Sequence, residues 1–534
     1  MTDVIIVGSG PGGVNSAAPL VEAGFRVTML DYGNEDRRYA PLIPNQSFSA
    51  LRRHDVQQHR YFLGDRFEGI PFGPVRVGAQ LTPPRMHILA DAAERIPVDT
   101  DGFSVSMSLA RGGLGAGWSA GVFPFSDDEL RGMGLGLQEM QPHYDAVAER
   151  IGVAGDRDDL EPFFPVSPTM MPPLGIDSNG EVVLAQYQRT RASLNAAGFF
   201  LGRPRVAACT RRHRDRGPYG YQDMDFWADL DRSIYRPQWT LDELQRSPSF
   251  TYVSRQLVRR FAEEGGRVLV RTRHADTGAE ESHEARALVL AAGTLGTAWI
   301  VLRSFGRYDT RVPILCNPYA YVPTLNLRMI GREPRDERYS VGQLTAILRP
   351  PGNGGRIVQA QLFSYRSLLT FKLMKESPLP YRASLRILRL LMPNFAILGI
   401  HHADRPSPGK YCVLRRGSGG SDDRLEIAYR QSDEERRSNE ADERAMVRCF
   451  RRLGCFPLRT IRPGHGASLH YAGTFPITPR EEQLTCDIDS CLRGTAAVYV
   501  ADGSIFPWVP PKGLTFNLMA NANRVGTLLA ERLA

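Results

Sequence analysis

The first thirty-three residues constrain this chain more than any other stretch. Val4, Ile5, Ile6 and Val7 form an unbroken apolar run of strand length. The GSGPGG that follows sets Gly8, Gly10 and Gly13 in the Gly-x-Gly-x-x-Gly spacing of a turn that opens a helix. The first glycine permits a sharp turn, the second lets backbone approach a pyrophosphate, and the third lets the helix pack closely on the strand. Pro11 lies inside this turn, and the helix beyond it turns unpaired N–H groups and the positive end of its dipole toward the phosphates. Gly24 ends the helix, Phe25 to Leu30 read as a second strand, and Asp31 stands at its tip, 18 residues beyond Gly13. An acid roughly 20 residues on is where a ribose hydroxyl is met. This order of elements points to a dinucleotide without separating NAD from FAD.

A chain of 534 residues, 42% hydrophobic and 23% charged, can bury at least one large core, and its size predicts two or three domains. No apolar run reaches the roughly 18 residues that a membrane span needs, and the first strand begins too close to Met1 to leave room for a signal peptide. A cytoplasmic protein is the expectation. Seven scattered cysteines, Cys486 and Cys491 being the nearest pair, form neither a disulfide framework nor a zinc site, so reduced thiols and no metal are expected. The net charge of +8 comes with no helix-turn-helix, zinc finger or aromatic RNA motif, which argues against a nucleic-acid partner.

Past residue 36 the tight βαβ rhythm is lost, and residues 37–98 are an irregular excursion rich in proline and arginine. Residues 108–125 read SLARGGLGAGWSAGVFPF. Five glycines there cannot all serve one β-turn, so a wide loop wrapped on a flat ligand is the better account, with Arg111, Gly112, Gly113, Gly117 and Trp118 as contacts. Met140, Tyr144, Val147 and Ile151 share one helical face. The run from Tyr219 to Asp231 mixes aromatics with Asp223, Asp225, Asp229 and Asp231, and reads as a solvated loop or as a lid that recognises substrate. Ala287 to Ala292 is a strand running into Gly293-Thr294 and a helix, a second backbone approach to a nucleotide through Ala292 and Gly293. Between residues 311 and 429, alternating segments such as 341–348, 357–363 and 425–429 predict antiparallel strands of a separate sheet domain, followed by a helix over 434–453. Residues 368–400 combine Leu, Ile, Phe and Met with Lys372, Lys375, Arg382, Arg386 and Arg389. This is a basic amphipathic segment that either packs between domains or makes peripheral contact with an anionic membrane.

Near the C-terminus, His465 and His470 lie in GHGASLHYAGT, and residues 498–507 read VYVADGSIFP, a strand ending in Asp502 and Gly503. Pro510-Pro511-Lys512-Gly513 then opens a helix over 514–532 whose first turn holds Thr515. Backbone N–H groups at the positive end of that helix can bind an electron-rich ring oxygen.

Through GSGPGG, ARGGLGAGW, LVLAAGTLGTAWIVLRS, HYAGT and ADGSIFP, in that order, the chain resembles the glucose-methanol-choline (GMC) oxidoreductase family, FAD enzymes that oxidise alcohols. The resemblance implies an α/β (α+β overall) protein. Its Rossmann-like FAD domain would be assembled from residues 1–130, 250–310 and 460–534, and its substrate domain on an antiparallel sheet from 131–249 and 311–459. It implies that His470 faces the flavin and accepts the hydroxyl proton, a task suited to an imidazole titrating near working pH. The family's second His or Asn before the last helix falls on Gly513 here, leaving Lys512, Asn517 or a lid residue as substitutes, Lys512 by its charge on a developing alkoxide. Some sugar oxidases of the family bind flavin covalently through a histidine before the loop tryptophan; Gly117 precedes Trp118 here, so noncovalent FAD is expected. The implied substrate is a sugar, an aminosugar or another natural-product alcohol or glycoside, with an electron acceptor that the residues do not name. The acids of 219–231 would suit ammonium or hydroxyl groups. The alternatives are a flavoprotein like the family's hydroxynitrile lyases, which hold FAD without redox use, and an oxidoreductase acting on a lipid-linked or membrane substrate.

Overall fold

The chain, seen in a computed structural model, is described over residues 2–46, 48–69, 82–165, 167–221, 229, 231–332, 341–350, 356–364, 377–417 and 422–534. It opens with strand β1 (Val4–Val7), helix α1 (Pro11–Glu22) and strand β2 (Val27–Leu30). Helices α2 (Leu137–Ile151) and α3 (Ser178–Ala196) follow the excursion and lead to β3 (Phe199–Gly202). Next come β4 (Phe250–Val253), an antiparallel meander between residues 256 and 285, β5 (Ala287–Leu290) and α4 (Thr294–Ser304). A second sheet region holds β6 (Tyr319–Asn326), β7 (Leu344–Leu348), β8 (Val358–Ser364), helix α5 (Tyr381–Leu391), β9 (Phe395–His401), helix α6 (Asp433–Arg452) and β10 (Cys455–Pro457). Strand β11 (Val498–Val500) and helix α7 (Thr515–Leu533) close the chain.

The fold is mixed α/β. A five-stranded parallel sheet in the order β11–β5–β1–β2–β4 draws its strands from three well-separated stretches of the chain. Its centre is β1, whose Val7 pairs with Leu30 of β2 on one side and Leu290 of β5 on the other. Because both faces of this strand are covered, all four of its residues are buried and apolar rather than alternating. On one face Val4 and Ile6 pack with Val14 and Ala17 of α1 and Val525 and Leu529 of α7. Ile5 and Val7 enter a larger core shared with α2 and α4. Each such side chain contributes about 1.5–3 kcal/mol of burial.

The second sheet is antiparallel at every pairing, in the order β10–β6–β9–β8–β7–β3. Side chains alternate across it. Val322, Ala360, Leu362, Leu398 and Ile400 pack on α3 and α6, while Tyr319, Tyr321, Gln361, Phe363 and His401 turn to the opposite face. The basic amphipathic stretch 368–400 is helical only over Tyr381–Leu391 among the described residues, and Lys372 and Lys375 lie outside them. Phe395–His401, expected to continue that amphipathic segment, is instead a central strand flanked by β6 and β8, because Ala396, Leu398 and Ile400 alternate into the core.

Candidate active site

The carboxyl ends of β1, β2, β5 and β11 open onto a single cavity of about 390 Å³, the position where open α/β sheets take ligands. Gly8, Ser9, Gly10 and Pro11 follow β1, Asp31 follows β2, Ala291 to Gly293 follow β5, and Asp502 and Gly503 follow β11; all line it. Gly113, Gly117 and Trp118 of the glycine loop cover one side, and Thr515 at the start of α7 another. At the far end stand Phe123, Tyr319, Tyr321, His401, His470 and Gly513.

The cradle fits a dinucleotide. Gly8 has φ +96°, and a Cβ there would lie 2.5 Å from the Ala291 carbonyl oxygen. Next to Gly10 the nearest atom to such a Cβ is 3.9 Å away, leaving the backbone open to the cavity. Gly13 does not line the cavity: it lies against the Gly8 carbonyl and Met29, where a side chain would force α1 off the sheet. Ser9 ties the parts together by donating to Asp31 while its oxygen accepts the Gly112 N–H at 2.9 Å.

Several expected contacts fall elsewhere. Arg111 is not on the cavity wall: its guanidinium reaches Asp242 at 2.6 Å and Gln245 at 2.8 Å, carboxylate and amide partners that neutralise it outside the cavity. Gly112 likewise is withdrawn, its amide spent on Ser9. Asp31 lines the cavity but is buried, with Ser9 and the Tyr252 hydroxyl (2.9 Å) both donating to its Oδ2, and burial pushes its carboxyl up from the usual range. Asp502 is held in the same way, accepting from Thr297 at 2.6 Å and from the Ser504 N–H at 2.9 Å.

Lys512 is not on the cavity wall. Its ammonium is fully buried in a separate socket, paired with Glu129 at 2.6 Å and donating to the carbonyls of Phe163 (2.7 Å) and Pro124 (3.1 Å). A buried cation needs such complete pairing, which leaves it nothing to offer an alkoxide. Asn517 is also spent on structure: its Oδ1 accepts from the Phe125 N–H and the Tyr144 hydroxyl, and its Nδ2 donates to Phe123 and Gly513. Of the acidic run, Asp223 and Asp225 lie outside the described residues, and Asp229 braces its own loop through the Ser233 hydroxyl at 2.7 Å. His465 lies against Tyr429, off the cavity wall.

His470 and Gly513 do meet at the far end of the cavity: a Cβ on Gly513 would lie 3.8 Å from His470 Nε2 and Cε1. His470 Nδ1 lies 2.9 Å from Asn317 Oδ1. Asn317 is buried, and its Nδ2 donates to the carbonyls of His402 (2.7 Å) and Pro510 (2.8 Å), so its oxygen must be the atom that faces the imidazole. His470 therefore carries its proton on Nδ1, and its Nε2 lone pair is left free beside Gly513. Burial lowers the imidazole pKa to about 4, so the ring is neutral at neutral pH. Asn317, Tyr319, Tyr321, Gln361, Phe363 and His401 were not singled out in the sequence. For Tyr319, Tyr321, Gln361 and Phe363 the signal is the alternation in YAYVPTLN and VQAQLFS, where one face is apolar and the other aromatic or amide-bearing; Asn317 and His401 lie outside those segments.

A parallel dinucleotide-type sheet built from three stretches, joined to an antiparallel sheet that walls its cavity, is an architecture shared with many solved chains, 711 of which match this one. Among them is pyridoxine 4-oxidase from Mesorbium loti, matched over 99% of both chains with a TM-score of 0.59 and 14% sequence identity. At that identity the likeness is one of fold. No protein-family model matches the sequence, and no curated protein does.

Proposed function

We propose that the protein is an FAD-dependent oxidoreductase that converts a hydroxyl group to a carbonyl, with His470 as the base. The observation that carries this reading is the placement of His470, whose Nδ1 lies 2.9 Å from Asn317 Oδ1 while its ring lines the cavity with Nε2 beside Gly513. The glycine cradle after β1, the loop at Gly113–Trp118 and the N-terminus of α7 would hold the flavin noncovalently. Bound flavin supplies a two-electron acceptor for the hydride of the carbinol carbon. The protein's part is to hold the alcohol oxygen against Nε2, to receive its proton there, and to keep the ring oriented through Asn317. The fold likeness to an enzyme named as an oxidase of an alcohol supports the same class.

Anaerobic mixing of the FAD-loaded protein with a panel of alcohols tests this. Bleaching of the flavin absorbance by at least one of them is expected. A protein that cleaves cyanohydrins while no alcohol changes its absorbance would be a lyase.

A surface feature favours a second reading, that the protein sits on anionic membranes. Ile330, Tyr381, Ile387, Phe456, Leu458 and Ile461 are large, apolar and exposed. They come from three stretches that β6 gathers, since Leu325 pairs with Phe395 just beyond α5 and with Phe456 of β10. Residues 327–332, 379–388 and 456–462 contain six arginines and no acid. Apolar side chains among arginines complement an acidic lipid surface. Sedimentation with phosphatidylglycerol vesicles at low salt, lost on reversing Arg382 and Arg386 to Glu, is expected; no binding at low salt removes this reading.

A further inference from the structure

Immediately before His470 the backbone is strained. Leu469 has φ +62°, a left-handed conformation that a bulky side chain rarely adopts. Such a residue persists only where its surroundings over-determine it. Here two residues do so. Leu315–Cys316 pairs antiparallel with Tyr471–Ala472, Cys316 Sγ lies 3.0 Å from the Ser468 hydroxyl, and Asn317 meets His470 Nδ1. Cys316 and Asn317 are thus a platform that grips the chain on both sides of Leu469.

A buried carboxylate fixes that platform. Asp404 lies three residues past the end of the neighbouring strand β9 and is 2% exposed. Its Oδ2 accepts the Cys316 N–H at 2.8 Å and the Tyr429 hydroxyl at 2.6 Å, while its Oδ1 accepts from Lys410 Nζ at 2.6 Å and from the Arg405 N–H at 3.0 Å. Every acceptor site of the carboxylate is filled. The Lys410 ammonium, equally buried, donates its other two protons to Glu435 (2.7 Å) and to the Arg405 carbonyl (3.2 Å). The backbone of Asp404 exchanges both of its hydrogen bonds with Val509, next to the Pro510 whose carbonyl holds Asn317 Nδ2. A ring of bonds therefore closes, from Asp404 to Cys316, from Asn317 to Pro510, and from Val509 back to Asp404.

Neither Asp404 nor Lys410 lines the cavity, and a buried ion pair is often replaceable by apolar side chains without loss of stability. The chemistry of the partners says why a carboxylate stands here. Donors face it on both sides, so an amide in its place would set its NH2 against either the Lys410 ammonium or the Cys316 N–H. We propose that Asp404 is a positioning residue: clamped by Lys410, it holds the Cys316–Asn317 platform that keeps His470 in its strained setting with Nδ1 on Asn317. The role of His470 rests on the alcohol-oxidising reading above; its placement by Asp404 is measured apart from that reading.

The test uses the full FAD-loaded chain and two pairs of substitutions, both of which remove the ion pair. Asp404→Asn with Lys410→Met keeps an oxygen for the Cys316 N–H, and Asp404→Leu with Lys410→Met keeps none. Glu435 remains partly exposed and bonded to the Ser432 N–H in each. NMR of isotope-labelled histidine, with His470→Gln assigning the signal, follows the titration of His470, whose pKa burial lowers to about 4. His401, the titratable ring stacked 5.4 Å away, is itself kept neutral by burial.

In the leucine pair a loosened platform admits water, so the His470 titration should rise by at least about one unit toward the ordinary value of about 6.5. Flavin reduction at saturating alcohol should slow about 10- to 100-fold with KM nearly unchanged. The asparagine pair should recover most of both. Tyr429→Phe removes one hydroxyl from the clamp and leaves the ion pair; it should move the titration the same way by a smaller step, and it carries the test if the leucine pair does not fold. A folded, flavin-loaded leucine pair, or in its absence Tyr429→Phe, whose His470 titrates as in the parent overturns the proposal. So does an asparagine pair as impaired as the leucine pair. A shifted titration in a protein whose parent no alcohol reduces keeps the clamp and overturns the alcohol-oxidising reading instead.

Discussion

Replacing Asn317 by Asp asks whether its amide sets the state of His470. The side chain keeps an oxygen 2.9 Å from Nδ1 but adds a negative charge, and it turns a second oxygen toward the carbonyls of His402 and Pro510 that Nδ2 now satisfies. An opposite charge at this distance raises an imidazole pKa by about 1–3 units. Starting from about 4, that carries His470 to between about 5 and 7. A histidine acting as the proposed base works only when neutral. In the parent, kcat/KM should therefore be level above about pH 5 and fall tenfold per unit below the pKa. In Asn317→Asp the same acid limb should begin one to three units higher. The assay is anaerobic flavin reduction in single-turnover mixing across about pH 3 to 9, with flavin content checked at each pH. An acid limb that stays in place in a variant that still binds flavin would refute the account of Asn317, and a parent limb near 6.5 would refute the account of burial.

Other outcomes follow from the same geometry. His470→Ala should retain flavin but reduce it about 10²- to 10⁴-fold more slowly, the usual share of a general base. His470 also bears on stability: its folded pKa of about 4 lies below the 6.5 of the unfolded chain, so the unfolded state binds the extra proton between these values and stability is lost as pH falls from about 6.5 to 4. Chemical unfolding of His470→Gln should show that pH slope reduced by up to one proton. Lys512→Met should cost about 3–5 kcal/mol in unfolding experiments, because it strands the Glu129 carboxylate, and Lys512→Met with Glu129→Gln should regain much of it. Neither should change the rate constant of flavin reduction while folded. Gly8→Ala, strained at φ +96° and pressed on the Ala291 carbonyl, should purify with little flavin as judged by its visible absorbance.

Local patterns were legible wherever one stretch of chain does its work with its own backbone. The run Val4–Val7, the glycine turn and Asp31 announced β1, α1 and β2 in the right places, because strand burial, turn conformation and helix packing are set by neighbours within about thirty residues. ALVLAAGT and VYVADGS were readable as strand ends for the same reason. Side-chain partners were less legible. Lys512 and Arg111 carry charge that looked fit for a ligand, yet Glu129 and Asp242, each more than a hundred residues away, claim it. Charge seeks the nearest buried counter-charge, and proximity in space does not follow proximity in sequence.

The sequence alone thus determined the strand, glycine turn and helix at the N-terminus and an antiparallel region after residue 311, and it pointed to His470. Only the tertiary structure decided what state that histidine is in and what stands opposite it. The proton on Nδ1 is set by Asn317, whose own amide is locked by carbonyls of His402 and Pro510 from two further stretches of chain. The ring beside it, His401, comes from a strand that its sequence presented as part of a basic amphipathic segment. A tautomer and a pocket wall depend on groups converging from distant strands, and that convergence exists only once the two sheets have packed.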